Sequence, residues 1–195
     1  YLFGKKKDVD IRKQGSGNIG TTNTMRILGI KVGALTLVCD CLKCVAAVVV
    51  VWLLFRTSYP EHIVLLELYG ALGAILGHDF PFFMKFKGGK GIACSFGMIL
   101  ALFPQCLPLC VLIFVLAVAI TRYVSLGSIL AALGLMVQIW IVVAKGWLAF
   151  ATSDLLEAQI LVSFAGILAI VLHRGNIKRL LAGNENKFSF KSKRD

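Results

Sequence analysis

Residues 92–120 read IACSFGMILALFPQCLPLCVLIFVLAVAI, an apolar run that contains Pro104 and Pro108. At about 1.5 Å per residue this run would make a helical rod of roughly 44 Å, whereas the hydrocarbon core of a bilayer is about 30 Å thick. Proline inside a helix removes a backbone hydrogen bond and kinks or ends the helix. The run therefore predicts two shorter or tilted membrane spans, joined near residues 103–106.

The composition of the whole chain indicates the same environment. Of the 195 residues, 58% are hydrophobic and 16% are charged, against about 45–50% and about 25% in soluble domains. Such hydrophobicity excludes intrinsic disorder. The six Cys sit mostly in apolar runs, which argues against a disulfide scaffold, and they lack the nearby His expected of a metal site. We predict one all-α integral membrane domain over 1–195, a transmembrane helix bundle with a basic tail at 186–195.

Apolar blocks recur along the chain at 32–55, 63–77, 92–120, 126–151 and 155–172. Because the block at 92–120 is divided by its prolines, these blocks predict six membrane spans. An alternative in which one of the shorter blocks is re-entrant stays open.

The distribution of basic residues distinguishes six spans from five. The chain holds 21 Lys+Arg against 10 Asp+Glu, a formal net charge of +11, which fits nucleic-acid binding, topology signals or a site for an anionic substrate. Most of the Lys and Arg lie in 1–31, 84–91 and 174–194, with Arg122 between two blocks. Six spans place all of these on one face. The positive-inside rule therefore predicts six spans with both ends in the cytoplasm, and nucleic acid is excluded as a partner.

The first basic segment carries GSGNIGTTNTMR at 15–26. Its glycines fit the G-x-G-x-x-G pattern, but dinucleotide binding requires a preceding strand, whereas the flanks here are a Lys-rich run and a membrane span. Glycines still let backbone N–H groups form an anion-binding concavity, to which Ser16, Thr22 and Asn23 add donors. Arg26 adds a guanidinium that fits phosphate bidentately. A glycine-rich surface turn with a topology-setting Arg is the alternative.

The second basic segment contains GHDFP at 77–81 and FKGGKG at 86–91. Its last three glycines stand just before an apolar helix, where free N–H groups and the helix dipole favour an anion next to Lys90. His78 fits a hydrogen-bonded structural role at the end of a span or a catalytic role, and we favour the structural one.

The third basic segment is HRGNIKRLLAGNE at 173–185. If the last span continues as a helix, His173, Asn176 and Arg179 or Leu180 share one face. A neutral imidazole with an unperturbed pKa near 6.5 suits general-base work at cytoplasmic pH. The alternative is a basic juxtamembrane tail attracted to anionic lipid.

Two charged residues, Asp40 and Lys43, lie inside the first apolar block. Their spacing lets them pair, which lowers the cost of placing each of them in lipid. An ionisable residue within a span is a functional candidate, but here we favour a structural pair.

The three segments together resemble one family in GSGNIGTTNTMR (15–26), GHDFPFFMKFKGGKGIA (77–93) and HRGNIKRLLAGNENK (173–187). The chain resembles the bacterial membrane acyl-phosphate-dependent glycerol-3-phosphate acyltransferases over nearly its whole length. The resemblance implies acyl transfer from acyl phosphate to the 1-hydroxyl of glycerol 3-phosphate, which gives lysophosphatidic acid and phosphate in the first step of phospholipid biosynthesis. It also implies a monomeric enzyme of the bacterial inner (plasma) membrane, with cytoplasmic motif loops and no metal or other cofactor.

The family is understood to have seven spans. Because this chain opens at Tyr1 without an initiator Met, we expect that the first span is missing and that six remain. Thr21, Cys44 and Cys94 depart from the residues usual in the family, and these departures concern packing more than chemistry.

Carried over to this chain, the resemblance implies three groups of site residues. The catalytic group is Ser16, Arg26, Lys90, His173 and Asn176. The substrate- and phosphate-binding group is Gly17, Asn18, Thr22, Asn23, Arg26, Gly88, Gly89, Lys90 and Gly91. The supporting group is Asp40, Lys43, His78, Lys87 and Glu185.

The expected chemistry needs no covalent enzyme nucleophile, because acyl phosphate is already activated and the protein has only to position and screen two phosphorylated reactants. We expect Arg26 and Lys90 to bind the phosphates. Ser16 and Asn176 would orient the attacking hydroxyl or polarise the acyl carbonyl. The proton goes either to His173 or to a substrate phosphate oxygen.

Two other classes of function stay open on the sequence. One is a transporter or channel for a phosphorylated metabolite, gated by the same glycine loops, although no inverted repeat of the kind common in transporters is visible. The other is a non-catalytic membrane scaffold.

Overall fold

The computed structural model of the chain describes residues 9–147 and 150–188. Within these ranges the regular secondary structure is entirely helical, as the sequence predicts. The basic residues Lys5, Lys6 and Lys7, and the part of the predicted basic tail beyond residue 188, lie outside the described residues. The α-helices, numbered in chain order, are α1 Thr21–Leu28, α2 Ile30–Phe55, α3 Ile63–Asp79, α4 Ile92–Leu102, α5 Leu107–Thr121, α6 Val124–Ala144, α7 Leu155–Leu172 and α8 Arg174–Leu181.

The break predicted near residues 103–106 is confirmed. Helix α4 ends at Leu102, and a 3-10 turn at Pro104–Cys106 leads into α5. Pro108 lies in the first turn of α5, where its missing N–H removes no hydrogen bond because the first N–H groups of a helix have no intrahelical partner. The prolines therefore separate two helices and leave each one regular.

Of the six predicted spans, the one at the start of the divided block is short. Helix α4 has 11 residues, a length of roughly 16 Å and about half of the hydrocarbon core. The described residues contain five helical segments that are long and apolar enough to cross a bilayer: Ile30–Phe55, Pro60–Met84, Pro104–Thr121, Val124–Ala144 and Thr152–Leu172. By helix length, the structure thus has five crossing segments and one half-length helix.

Helix α6 ends earlier than the apolar block 126–151 predicts. Its last residue is Ala144, and Gly146 follows with a φ of 67°. This left-handed conformation is open to glycine without a side-chain clash, so the backbone turns out of the helix although apolar residues continue.

Contacts between helix ends show that the helices alternate in direction. At one end of the bundle, His62 before α3 lies 2.9 Å from Asp154 before α7, and Phe103 after α4 stacks on Phe150. At the other end, Lys90 before α4 bonds Asn176 in α8. Helix α4 therefore runs away from the end where the motifs meet, and α5 returns to it.

The core lies where α2, α3, α4, α6 and α7 meet, and small residues set the helix spacing there. A Cβ on Gly97 would collide with the backbone carbonyl of Cys41, so α2 and α4 approach closely at this point. Cys44 and Cys94 are fully buried in the same core. Leu53 and Leu54 of α2 are largely exposed. Exposed apolar side chains on a helix long enough to cross a bilayer are typical of a surface that faces lipid.

Candidate active site

A cavity of about 540 Å³ opens at the end of the bundle where the three basic segments meet. Its polar end is lined by Ser16, Asn18, Thr21, Thr22, Asn23, Arg26, Asp40, His78, Lys90, Ser125, His173, Asn176 and Glu185. Its other end is lined by apolar residues of α4 to α7, among them Phe96, Ile99, Val111, Phe114, Leu135 and Ala165. The cavity therefore joins a charged, hydrogen-bonding head to an apolar channel.

Asn23 organises the first motif loop, although it was predicted to bind substrate. Its Oδ1 accepts a hydrogen bond from the Ser16 N–H at 2.9 Å, and its Nδ2 donates to the carbonyls of Ile11, Gln14 and Asn18 at 2.9 to 3.1 Å. The residue is 2% exposed. Its amide is fully used inside the protein, which corrects the expectation that Asn23 offers a donor to a ligand.

The rest of the first loop divides between cavity and scaffold. Ser16, Asn18 and Thr22 line the cavity, whereas Gly17 does not. The Gly17 N–H donates to the Gln14 carbonyl at 3.0 Å. Gly17 has a φ of 72°, so it shapes the turn that presents Ser16.

Arg26 is the cation that the first loop contributes to the cavity. No side chain among the described residues pairs with Arg26. A guanidinium that lines a cavity without a carboxylate partner is ready to bind an anion.

Lys90 is the cation that the second segment contributes. Its ammonium donates a hydrogen bond to Asn176 Oδ1. Burial and, to a lesser extent, the positive charge of Arg179 together lower the pKa of Lys90 to about 8, against the opposing effect of Glu185. A partly buried ammonium of this kind gains more from a bound anion than an exposed one, because water screens it less.

Asn176 is held from two sides, which fixes the direction of its amide. Nδ2 donates to Glu185 Oε1 at 2.8 Å, while Oδ1 accepts from Lys90. Glu185 also accepts from Arg179 Nε at 2.7 Å and from Ser125 Oγ at 3.2 Å. Of the residues predicted to share one helix face, His173 and Asn176 line the cavity. Arg179 does not line it, and its side chain bonds Glu185.

His173 lies at the junction of α7 and α8 and is 4% exposed. Its Nδ1 lies 2.7 Å from the Ala169 carbonyl. A carbonyl only accepts, so Nδ1 carries the proton and the neutral ring keeps Nε2 as an acceptor. Burial, helped by the charge of Lys90, lowers the pKa of His173 to about 4.

Gly88 and Gly89 do not offer free N–H groups to an anion, contrary to the sequence-based expectation. The Gly88 N–H donates to the Asp79 carbonyl at 3.0 Å, and the Gly89 N–H donates to the His78 carbonyl at 3.1 Å. Neither glycine lines the cavity. Both are required by close packing, because a Cβ on either one would collide with residue 78.

Gly91 precedes α4 with a φ of 70° and no side chain caps this helix. The next two residues, Ile92 and Ala93, line the cavity. The N-terminal end of α4 thus adds its dipole to the positive charge of Lys90 and Arg26.

The supporting residues divide into two sets. Asp40 and His78 line the cavity, and Lys43 bonds both of them at 2.7 Å and 2.5 Å. The predicted pair of Asp40 and Lys43 is confirmed, but it meets the end of α3 beside the cavity instead of standing alone in the apolar block. Lys87 is exposed and does not line the cavity.

Several cavity residues were not predicted as site residues, among them Ser125 and Thr21. Ser125, at the start of α6, bonds Glu185, and Thr21 has a buried hydroxyl without a partner among the described residues. A polar residue at the first turn of a helix next to a basic segment is the signal that could have found them.

Comparisons with known proteins give one consistent match. A family model described as glycerol-3-phosphate acyltransferase matches residues 1–183. The glycerol-3-phosphate acyltransferase of Trichlorobacter lovleyi is 41% identical over 96% of this chain and 88% of its own length. That of Clostridioides difficile is 38% identical over 98% of this chain and 88% of its own.

Solved structures match as well. The crystal structure of PlsY, an integral membrane glycerol 3-phosphate acyltransferase, in its glycerol 3-phosphate form has a TM-score of 0.78 at 34% identity, over 96% of this chain and 86% of that one. The lysophosphatidic acid form has a TM-score of 0.76 at 34% identity, over 97% and 87% of the two chains.

Proposed function

The chain belongs to the glycerol-3-phosphate acyltransferase family, and we propose that it transfers an acyl group from acyl phosphate to the 1-hydroxyl of glycerol 3-phosphate. The products are 1-acyl-glycerol 3-phosphate, which is lysophosphatidic acid, and inorganic phosphate. The observation that carries this proposal is the two-ended cavity, in which Lys90 and Asn176 meet at the polar end and apolar side chains line the other.

The cavity fits both substrates by their chemistry. Glycerol 3-phosphate is small, polar and anionic, so it belongs at the end that holds Arg26 and Lys90. Acyl phosphate has an anionic head and an apolar tail, and the tail extends between α4 and α7 along Ile99 and Leu135. A transporter for a phosphorylated metabolite would not need this apolar channel, and the relatives and solved structures are named as acyltransferases.

Phosphate binding falls to the two cations. Arg26 has no partner among the described residues, so its fork of donors is available for a bidentate contact. Lys90 supplies a point charge beside the uncapped start of α4. Together they screen the repulsion between two phosphorylated reactants.

The roles of Ser16, Asn176 and His173 in the reaction follow from the hydrogen bonds that hold these residues. Ser16, presented by the Asn23-bound loop, and Asn176 orient the hydroxyl or polarise the acyl carbonyl. The hydroxyl oxygen bonds to the acyl carbon, the acyl–phosphate bond breaks, and phosphate leaves. His173 Nε2 accepts the hydroxyl hydrogen bond, and because its pKa is about 4 it is a weak base at neutral pH. The proton passes either to His173 or to a substrate phosphate oxygen, and the lowered pKa of His173 favours the phosphate oxygen.

The proposal includes a membrane topology. The chain is an integral membrane protein by its family and by its long apolar helices. We place it in the bacterial inner membrane as a monomer, with α4 counted as the sixth, half-length span and the motif end in the cytoplasm. The basic residues support this orientation, because Lys90, Arg26 and Arg122 all lie at the motif end.

The test is the reaction itself. The purified chain in lipid nanodiscs is given acyl phosphate and glycerol 3-phosphate, and lysophosphatidic acid and released phosphate are measured in parallel. Equal amounts of the two products are expected, and acyl-CoA in place of acyl phosphate should give neither at a comparable rate. A folded sample that forms no lysophosphatidic acid from either donor would overturn the proposed function.

A further inference from the structure

Asp40 and Lys43 on α2 and His78 at the end of α3 form a chain of polar contacts beside the cavity. Lys43 Nζ lies 2.7 Å from Asp40 Oδ1 and 2.5 Å from His78 Nδ1, and His78 Nδ1 lies 3.6 Å from the same carboxylate oxygen. The side chains of Asp40 and His78 are 14% and 8% exposed. The Lys43 side chain is 40% exposed, so water partly screens these contacts, but their geometry still fixes the direction of the imidazole ring.

The contact with Lys43 decides which nitrogen of His78 carries the proton. An ammonium group has donors and no acceptor. Nδ1 must therefore accept from Lys43, and the neutral ring carries its hydrogen on Nε2. Asp40 Oδ1 accepts a second hydrogen bond from the same ammonium group and lies beside His78 Nδ1, 3.6 Å from it.

The ring and the backbone of His78 together hold the glycine turn at 88–91. The His78 carbonyl accepts the N–H of Gly89, and the Asp79 carbonyl accepts that of Gly88. The ring lies directly against Gly89, because a Cβ at that position would collide with Nε2. The turn is thus held by two backbone hydrogen bonds on one side and by contact with the imidazole ring on the other.

Lys90 is the next residue along the chain, and its ammonium reaches across to Asn176. A shift of the glycine turn moves the Lys90 backbone and with it the place where its charge meets a ligand. Shifts of about 1 Å in a site of this kind are enough to weaken binding and catalysis strongly. The position of Lys90 therefore depends on what holds Gly89.

We propose that Asp40, Lys43 and His78 are positioning residues that act through Lys90. They orient the imidazole, the imidazole holds the glycine turn, and the turn presents the Lys90 ammonium to the phosphate of glycerol 3-phosphate. This inference rests on the proposed function, in which Lys90 binds that phosphate. It assigns the charged pair in the first apolar block a role in substrate affinity.

The test measures binding of glycerol 3-phosphate to the full chain in nanodiscs by calorimetry, with thermal unfolding measured on the same samples. His78→Asn keeps an acceptor for Lys43 but removes the ring from Gly89, so we expect affinity to fall about tenfold with little change in Tm. His78→Gln, whose amide reaches the place of Nε2, should restore most of the affinity.

A double-mutant cycle separates positioning from direct contact. If His78 acts through Lys90, adding His78→Asn to a Lys90→Met chain changes affinity by less than about twofold, since coupled residues are not additive. Lys43→Met should weaken binding as His78→Asn does. Lys31→Met, on the same helix with an exposed side chain, is the matched control and should bind like the wild type.

Three results would overturn the inference. One is a folded His78→Asn chain with wild-type affinity, and another is an equally large His78→Asn effect in the Lys90→Met background. The third is a Lys43→Met chain that binds normally, which decides the matter even if the His78 variants do not fold. If the folded wild-type chain does not bind glycerol 3-phosphate at all, the proposed function is overturned, and this inference with it.

Discussion

The ammonium of Lys90 donates a hydrogen bond to the side-chain oxygen of Asn176, 86 positions later in the chain. The contact joins the second basic segment to the third, and Glu185 fixes the far side of the same amide at 2.8 Å. Lys90 thereby shares one set of hydrogen bonds with two residues of the third basic segment, Asn176 and Glu185. Most of the testable consequences of the structure pass through this contact.

Replacing Lys90 with Met should raise the KM for glycerol 3-phosphate about tenfold or more. The change keeps the length of the side chain but removes a charge-assisted hydrogen bond, which contributes about 1.5–3 kcal/mol. Steady-state kinetics of lysophosphatidic acid formation measure the effect. Lys85→Met, in the same basic segment with an exposed side chain, is the control, and an equal rise in both variants would contradict the prediction.

The KM for glycerol 3-phosphate should increase as the pH rises above about 8. The pKa of Lys90 is lowered to about 8 by burial, so the ammonium loses its charge above that pH, while the substrate phosphate, with a second pKa near 6, keeps its full charge. Measuring KM between pH 7 and 10 tests this alkaline rise, which is called the alkaline limb below. The Lys90→Met chain should lack it, and a limb retained in that variant would assign the titration to another group.

Replacing Glu185 with Gln should make the KM for glycerol 3-phosphate begin to rise at a lower pH, so that the alkaline limb shifts. Glu185 raises the pKa of Lys90 through its negative charge, so its neutralisation lowers that pKa and the charge on Lys90 is lost earlier. We also expect kcat/KM at pH 7 to fall about tenfold, because Asn176 loses part of its anchor. Glu157→Gln is the matched control, since Glu157 contacts Tyr69 and lies outside the cavity lining. A limb that stays in place would contradict the electrostatic link.

Thermal stability should decrease as the pH falls from about 6.5 to 4, in part because of His173. The pKa of His173 is lowered to about 4 in the folded state by burial, against about 6.5 in the unfolded chain. In this range the unfolded state binds the proton and the folded state does not, so acid favours unfolding. The Tm of a His173→Gln chain should depend less on pH over this range, and an identical dependence would refute the assignment.

Replacing Asn23 with Ala should destabilise the fold as well as reduce activity. The change removes the acceptor for the Ser16 N–H and the donor to three carbonyls, and leaving buried polar groups unpaired costs about 1–3 kcal/mol each. We expect a clearly lower Tm and a loss of the Ser16 geometry. Asn184→Ala, at an exposed position, should leave Tm unchanged. If Asn23 bound substrate alone, activity would fall without a change in Tm.

Much of the fold was predictable because it depends on local properties of the chain. The apolar runs and the pair Pro104 and Pro108 predicted the helices and the break between α4 and α5. The count of full spans was not predictable in this way, since the 11-residue α4 is as apolar as a complete span. Its C-terminal end is set by the break at Phe103 and Pro104, and its start by the turn at Gly91.

The candidate site was predictable in its residue types but not in their roles. The motifs place Arg26, Lys90, His173 and Asn176 at one cavity, as the sequence led us to expect. The sequence also suggested that glycine N–H groups hold phosphate, whereas those of Gly88 and Gly89 already bond carbonyls. Which donors stay free depends on neighbours from other helices, and no local pattern encodes that.

The sequence by itself determined that this protein is a helical membrane protein, and its motifs determined the family and the kinds of groups in its site. Hydrophobicity and proline geometry act within a few residues, so they can be read along the chain. Only the tertiary structure decided that Asn23 is scaffold, that Lys90 meets Asn176, and that His173 carries its proton on Nδ1. Hydrogen-bond partners and burial come from segments far apart in sequence, and they exist only once the helices have packed.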